Sequence, residues 1–403
     1  MEVRRGCYWQ PGQGSQYPLD AALSLPERSF SDWVQEIVEE LSTCVPYPEN
    51  PGSDEAVGLL SKWFRLSLPK RSVEQMAGDH AGAVAAYYEQ QAAPAVGAED
   101  TILAALADGK GIPMNRQDSP PPQARRGKGG RKTAKRDATI TALYRIAPYP
   151  RCSDDIIQAW LPAEDQPPTV TARPTPTGKQ VFGTLAGKEA AFEHLARQVA
   201  KRDTQPVTDR VALTDGSRSL QLKVEEYLPG FTLILDIIHV TEYVWEAANV
   251  LLGETNPFRL RWVEDALRCL LEDDPDTLFR HLAYQASAPG LACHKSQTLT
   301  RVLDYLRRNL PYMDYQSYLA RGWPIGSGVI EGACRHLVKD RFEQTGMRWS
   351  LKGAQVMLDL RAVQLNADWG DFQRFRRRLA HQLRFGTTLP MHLPEALVFD
   401  LAA

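Results

Sequence analysis

The ten residues FTLILDIIHV, 231–240, constrain this chain more than any other stretch. The run is too apolar for a surface strand and fits a strand buried on both faces of a parallel sheet, which places the protein among α/β folds. Asp236 lies inside it, with His239 three residues on. An acid in such a run is costly unless it is paired or coordinated, so the sequence predicts that Asp236 has work to do.

Other short apolar runs supply partners for that strand. Thr101–Ala107 (TILAALA) and Val211–Thr214 are short enough for buried strands, and each ends on an Asp-Gly pair, at Asp108 and Asp215. Taken singly, each Asp-Gly reads as a turn. Ala138–Ala147 has the β-branched and aromatic content of a strand. Residues 163–187, rich in proline, threonine and glycine, are expected to wander over the surface. Lys188–Arg202 and Ser219–Tyr227 have helical periodicity, and 241–322 is helical throughout, which marks an insertion.

Beyond the insertion, Arg321–Trp349 places Gly326, Ser327 and Gly328 as a tight turn and then an amphipathic helix. Ile330, Cys334, Leu337, Val338 and Phe342 form its apolar face, while Arg335, Lys339 and Arg341 point elsewhere. Glu331 falls in the first turn, where an acid either complements the helix dipole or completes a metal site. A helix over 352–366 and a tail with Arg374, Arg376, Arg377, Arg378 and Arg384 among phenylalanines close the chain.

With 403 residues, the chain has room for two or three domains. Upstream, 30–41 is a helix, and 54–80 reads as two short helices with Ser72 capping the second. Lys70 and Arg71 then sit where a helix-turn-helix meets phosphate, although a plain helical hairpin has the same pattern. Between 125 and 136, Arg125, Arg126, Lys128, Arg131, Lys132, Lys135 and Arg136 put seven positive charges among glycines. Net charge is −2, so affinity for nucleic acid must come from such clusters. The start MEVRRGCYWQPGQG lacks the apolar core of a signal peptide, and no apolar run is long enough for a membrane helix. Six cysteines without a CxxC pair suit a reducing compartment, so the expected location is the cytoplasm, beside the nucleoid.

Asp108, Asp215 and Glu331 are oxygen ligands of the kind that hard cations such as Mg²⁺ or Mn²⁺ prefer. Three carboxylates can hold two ions about 4 Å apart and support in-line displacement at phosphorus.

The segments ADGKGIPM (107–114), VALTDG (211–216), LDIIHVTEYVWEAA (235–248) and GWPIGSGVIEGACRHLVKDRFEQTGMRWS (322–350) resemble the transposases of ISKra-type bacterial insertion sequences, relatives of the Mutator group, from about residue 20 to 370. The resemblance implies a ribonuclease H-like core interrupted by a helical insertion, and DDE chemistry with two divalent ions. It assigns Asp108, Asp215 and Glu331 to the catalytic triad. Asp236 and His239 match the C/D-x-x-H signature after the second acid, with His239 positioning DNA; Asp236 as the second triad acid is the rival assignment. Relatives often begin with a cysteine-rich segment, where this chain offers only Cys7.

The expected organisation is therefore a helical DNA-binding region over 1–95, a first core part over 101–240 with a basic loop at 115–136, an insertion over 241–322, and a last core part over 323–403. DNA contacts fall to Lys70, Arg71, the seven cations of 125–136, Arg335, Lys339 and Arg341. Holding two DNA ends together implies a dimer or higher assembly. A catalytically silent DNA-binding protein and a nuclease that cuts without joining are the rival functions.

Overall fold

A computed structural model of the chain describes residues 8–10, 14–16, 20, 30–44, 61–62, 68–118, 135–161, 173–203, 206–343 and 347–386. Two compact units emerge: Met1–Gln91 together with Glu343–Ala403, and Ala92–Phe342. All but residues 61–62 of the first helix of the expected 54–80 hairpin, and the cations from Arg125 to Lys132, lie outside the described residues. Among the described residues, no helix is long and apolar enough to cross a membrane.

In the first unit, β1 (Tyr8–Gln10) and β2 (Gly14–Gln16) pair antiparallel. Helices α1 (Asp32–Cys44), α2 (Lys70–Ala81) and α3 (Val84–Gln90) follow. Val38, Leu68, Val73 and Met76 bury one apolar cluster with Phe30, Val34, Ile37 and Leu41. Helix α2 begins at Lys70 with Pro69 in the N-cap position, so Ser72 lies within the first turn and does not cap it. Proline's fixed φ suits that boundary.

The second unit is built on a five-stranded sheet in the order β5-β4-β3-β6-β7. Its strands are β3 (Ile102–Pro113), β4 (Lys135–Ile146), β5 (Thr177–Thr184), β6 (Asp209–Thr214) and β7 (Thr232–Leu235). Strands β3, β4 and β5 are antiparallel neighbours, whereas β6 runs parallel to β3 and β7 parallel to β6. Helices α4 (Ser153–Trp160), α5 (Lys188–Arg202) and α6 (Arg218–Tyr227) join these strands.

Alternation along the strands sets what each sheet face carries. Leu103, Ala105 and Ala107 of β3, Ala212 of β6 and Leu233 of β7 pack with Phe192, Leu195, Val199, Leu220 and Val224 from α5 and α6. The next residue after Ala107 must therefore project from the opposite face, and that residue is Asp108.

Three expectations change here. Strand β3 does not turn at Asp108-Gly109 but continues to Pro113, because β4 pairs with it over its whole length, from Ile102↔Ile146 to Pro113↔Lys135. Residues 177–184, expected on a wandering surface segment, form strand β5; its polar TGKQVFGT sequence lacks a clean period, yet Val181, Gln180 and Thr184 are buried. The run at 231–240 is a strand for only four residues. Asp236 then ends it as the N-cap of helix α7 (Ile237–Leu252), accepting from Ile238 N at 3.0 Å.

The helical block continues as α8 (Arg259–Leu271), α9 (Pro275–Ala286), α10 (Cys293–Asn309) and α11 (Tyr315–Ala320). Helix α12 (Gly328–Ala333) follows, then a π-helical segment over Cys334–Lys339 and a last turn over Asp340–Phe342. The expected apolar face is the buried one, with Ile330, Cys334, Leu337, Val338 and Phe342 all inside. Arg341, expected to face DNA, is instead fully buried.

Helices α13 (Leu351–Leu365) and α14 (Trp369–Phe385) belong to the first unit, so the expected grouping of 323–403 with the core divides at Phe342. The reason is apolar matching: Leu360, Val363 and Phe372 bury with Ala77, Ala81, Tyr87 and Tyr88. Four of the tail arginines pair inside this unit: Arg376 with Asp32 at 3.2 Å, Arg377 with Glu36 at 3.0 Å, Arg384 with Asp20 at 3.4 Å, and Arg374 with Asp371.

Phe192 is fully buried where α5 meets the sheet. Phe192→Ala is expected to lower stability by about 3–5 kcal/mol in urea denaturation, through lost burial and the cavity left behind.

Candidate active site

Three adjacent parallel strands deliver acids at one level. The pairing Ala107↔Thr214 puts Asp108 and Asp215 at the next step of β3 and β6, and Thr214↔Leu235 does the same for Asp215 and Asp236. Neighbouring strands lie about 4.8 Å apart. All three acids follow residues that alternate with the α5/α6 face, so they share the other side of the sheet. Carboxyl ends of parallel strands are where sites form in α/β sheets.

Asp236 is wholly buried, and four donors hold its carboxylate. Its Oδ1 accepts from Ile238 N and Ser327 N, each at 3.0 Å. Its Oδ2 accepts from His239 Nδ1 at 2.8 Å and from the Ser327 hydroxyl. Ser327 also reaches Glu331 Oε1 at 3.4 Å, and Ile237 N donates to Ile325 O at 3.0 Å. The Trp323–Ser327 loop is thereby fastened to the head of α7, which brings Glu331 over the strand ends.

One helical turn beyond Glu331, Cys334 Sγ donates to Asp108 Oδ2 at 3.4 Å. Asp108 Oδ1 accepts from Gly109 N at 2.6 Å. Asp215 Oδ1 accepts from Ser217 N at 2.8 Å, and the Tyr305 hydroxyl donates to the Asp215 carbonyl at 3.0 Å. Gly216 makes that approach possible: at φ +81, a Cβ there would lie 2.9 Å from the Tyr305 hydroxyl and 2.8 Å from Leu235 Cδ1.

The charges are coupled. The hydrogen bond to Asp236 raises the pKa of His239 from 6.5 to about 9, so the imidazole is a cation at neutral pH. Glu331 is exposed on one side, yet loss of solvent on its inner side and the Asp236 charge push its carboxyl upward. Burial, then the Asp108 charge, keeps Cys334 a thiol.

Ligand atoms of Asp236, His239 and Glu331 all lie within 4.8 Å of one another, a spacing that fits a metal ion. The wider set of Asp108, Asp215 and Glu331 offers carboxylate oxygens, the donors Mg²⁺ and Mn²⁺ favour. Asp236 already accepts from four protein donors, whereas Asp108 accepts from Gly109 N and Cys334 Sγ and Asp215 from Ser217 N.

Of the five predicted chemical residues, Asp236, His239 and Glu331 thus form one close group, while Asp108 and Asp215 end the neighbouring strands on the same side of the sheet but lie outside that group. Among the predicted DNA contacts, Arg71, Lys135, Arg136, Arg335 and Lys339 are exposed, while the Lys70 side chain lies outside the described residues. Sequence reasoning missed Ser327, Cys334 and Tyr305 as site residues. Ser327 was legible only as part of a turn and Cys334 only as core, and nothing in the period of α10 points Tyr305 at Asp215.

In EDTA, the His239 resonance followed by NMR should titrate near pH 9 and move toward 6.5 in Asp236→Asn. Because the fold favours the imidazolium, the pair stabilises fully below pH 6.5, and that contribution is lost as pH rises through 9. Ser327→Ala removes a buried donor to a charged group and should cost about 1–3 kcal/mol in urea denaturation.

No protein-family model matches this chain, and no curated protein does. Among solved structures, the Drosophila P element transposase strand transfer complex is similar at 8% identity and a TM-score of 0.37, over 85% of this chain and 94% of that one. A likeness at that level says nothing of what these acids do.

Proposed function

We propose that this chain is a DNA transposase with a ribonuclease H-like core, which cuts transposon ends and joins them to target DNA by DDE chemistry. What supports the reading is the parallel register that brings Asp108 and Asp215 to neighbouring strand ends, with Cys334, one helical turn beyond Glu331, bonded to Asp108. The resemblance of 322–350 to ISKra-type transposases belongs to the same proposal.

In this reading Asp108, Asp215 and Glu331 would hold two Mg²⁺ or Mn²⁺ ions. When bound, such ions lower the pKa of the attacking water or 3′-hydroxyl and stabilise the leaving oxygen. Asp236 serves as an anchor: it fixes the head of α7, orients His239 and keeps it protonated. The imidazolium then faces a phosphate oxygen of the DNA, which a cation suits better than a hard-metal site does. Ser327 holds Asp236 and Glu331 at a set separation. Exposed Lys135, Arg136, Arg335 and Lys339 contact the backbone, so binding weakens with salt. Work on two ends calls for a dimer or larger assembly on DNA, within the cytoplasmic nucleoid.

A second reading rests on the 4.8 Å group: Asp236, His239 and Glu331 as ligands, with Asp236 replacing Asp215 in the triad. Mn²⁺ titration separates the two. Under the first, Asp215→Asn loses an ion and Asp236→Asn retains binding at a reduced reaction rate; under the second, Asp236→Asn abolishes binding.

Purified protein, Mg²⁺ and labelled DNA carrying the sequences that flank its gene test the activity itself. Nicking and joining are expected, and both should fall on the order of 10²–10³-fold in Asp215→Asn and Glu331→Gln. Nicking alone identifies a nuclease. Binding without either identifies a silent DNA-binding protein.

A further inference from the structure

The helical block carries an open cavity of about 430 Å³ between α7 and α10, in the size range of small-ligand sites. Gln297, Arg301, Asp304, Tyr305 and Arg308 line it from one face of α10, at spacings of four, three, one and three residues, and Tyr243 lines it from α7. The rings of Tyr243 and Tyr305 stack with centroids 3.8 Å apart and planes inclined by 14°. A guanidinium flanks each ring, Arg301 at 5.9 Å from the Tyr243 centroid and Arg308 at 5.7 Å from that of Tyr305.

The inner end of this cavity touches the acid cluster. Tyr305 donates to the Asp215 carbonyl at 3.0 Å, and Arg308 to the Gly216 carbonyl at 3.4 Å. Arg301 pairs with Glu246, but both side chains are about half exposed, so a phosphate can take the carboxylate's place at little cost. Aromatic faces, paired guanidiniums and a side-chain amide are what a base and its phosphates require. A volume of about 430 Å³ is that of a small-ligand site, on the scale of one nucleotide rather than a duplex.

We propose that the cavity receives a single unstacked nucleotide of the DNA strand that runs into the acid cluster, with its base on Tyr243 and its phosphates at Arg301 and Arg308. The direction of the strand rests on the transposase reading above; binding of the nucleotide does not. Asp304, exposed at the rim, opposes the phosphates and moderates the affinity.

The probe is a single-stranded octanucleotide carrying one 2-aminopurine, titrated in EDTA so that no divalent ion contributes. Wild-type protein should quench the aminopurine. Tyr243→Ala should restore its emission and weaken binding about ten-fold, while Tyr243→Phe keeps both. Arg308→Gln should lower affinity and reduce the salt slope by about one. Asp304→Asn should tighten binding, a gain that no folding defect imitates. Unquenched emission with wild-type protein, or unchanged affinity in Tyr243→Ala and Arg308→Gln, overturns the proposal. So does a free deoxynucleoside monophosphate that binds as tightly as the octanucleotide. Glu331→Gln should bind the probe normally while losing cleavage, so failure of the cavity and failure of the acids give different results.

Discussion

The buried carboxylate of Asp236 is the interaction on which the rest of the second unit depends. A charge removed from water is tolerable only when donors replace the lost solvent, and four of them converge here from two segments. One set comes from the helix that Asp236 itself caps, so the switch from strand to helix and the neutralisation of the acid are a single event. Another comes from Ser327, 91 residues away in sequence, across the whole helical block. Removing Asp236 would therefore release the loop before Glu331 as well as the imidazole beside it.

Around that anchor, small geometric rules suffice to assemble the cluster. Period-two alternation puts apolar side chains under α5 and α6 and acids on the opposite face. Parallel pairing aligns the strand ends, and Gly216 bends the chain out of β6 where a side chain would collide with Tyr305. The π-helical segment after Ala333 keeps Cys334 against Asp108 while Arg335 and Lys339 stay in solvent, a re-aiming that such bulges often provide at functional sites.

Much of this was legible in the sequence because burial writes itself in periods. Helix α5 matches its predicted limits, and the apolar face from Ile330 to Phe342 is the buried one. What the period could not convey is where a buried run changes from strand to helix: FTLILDIIHV is apolar in both states, and only the capping chemistry of Asp236 decides. Strand β5 escaped because Gln180 and Thr184 are buried polar residues beside Val181, with Gln180 accepting from Arg202. Arg341 escaped for the opposite reason, since a cation in an amphipathic run reads as surface unless its partners are known. The role of the tail was hidden because the apolar faces that bind α13 and α14 to α2 and α3 lie hundreds of residues apart in the chain.

The unequal lengths of the strands carry a metric consequence. β6 and β7 stop at the acids, but β3 and β4 go on to Pro113↔Lys135, as a two-stranded ribbon from the Lys110↔Ala138 pair onward. Five further residues at the antiparallel rise project that tip about 17 Å beyond Asp108. Paired backbone over that whole length holds Lys135 at a fixed distance from the acids, a spacing that side-chain rotation cannot alter.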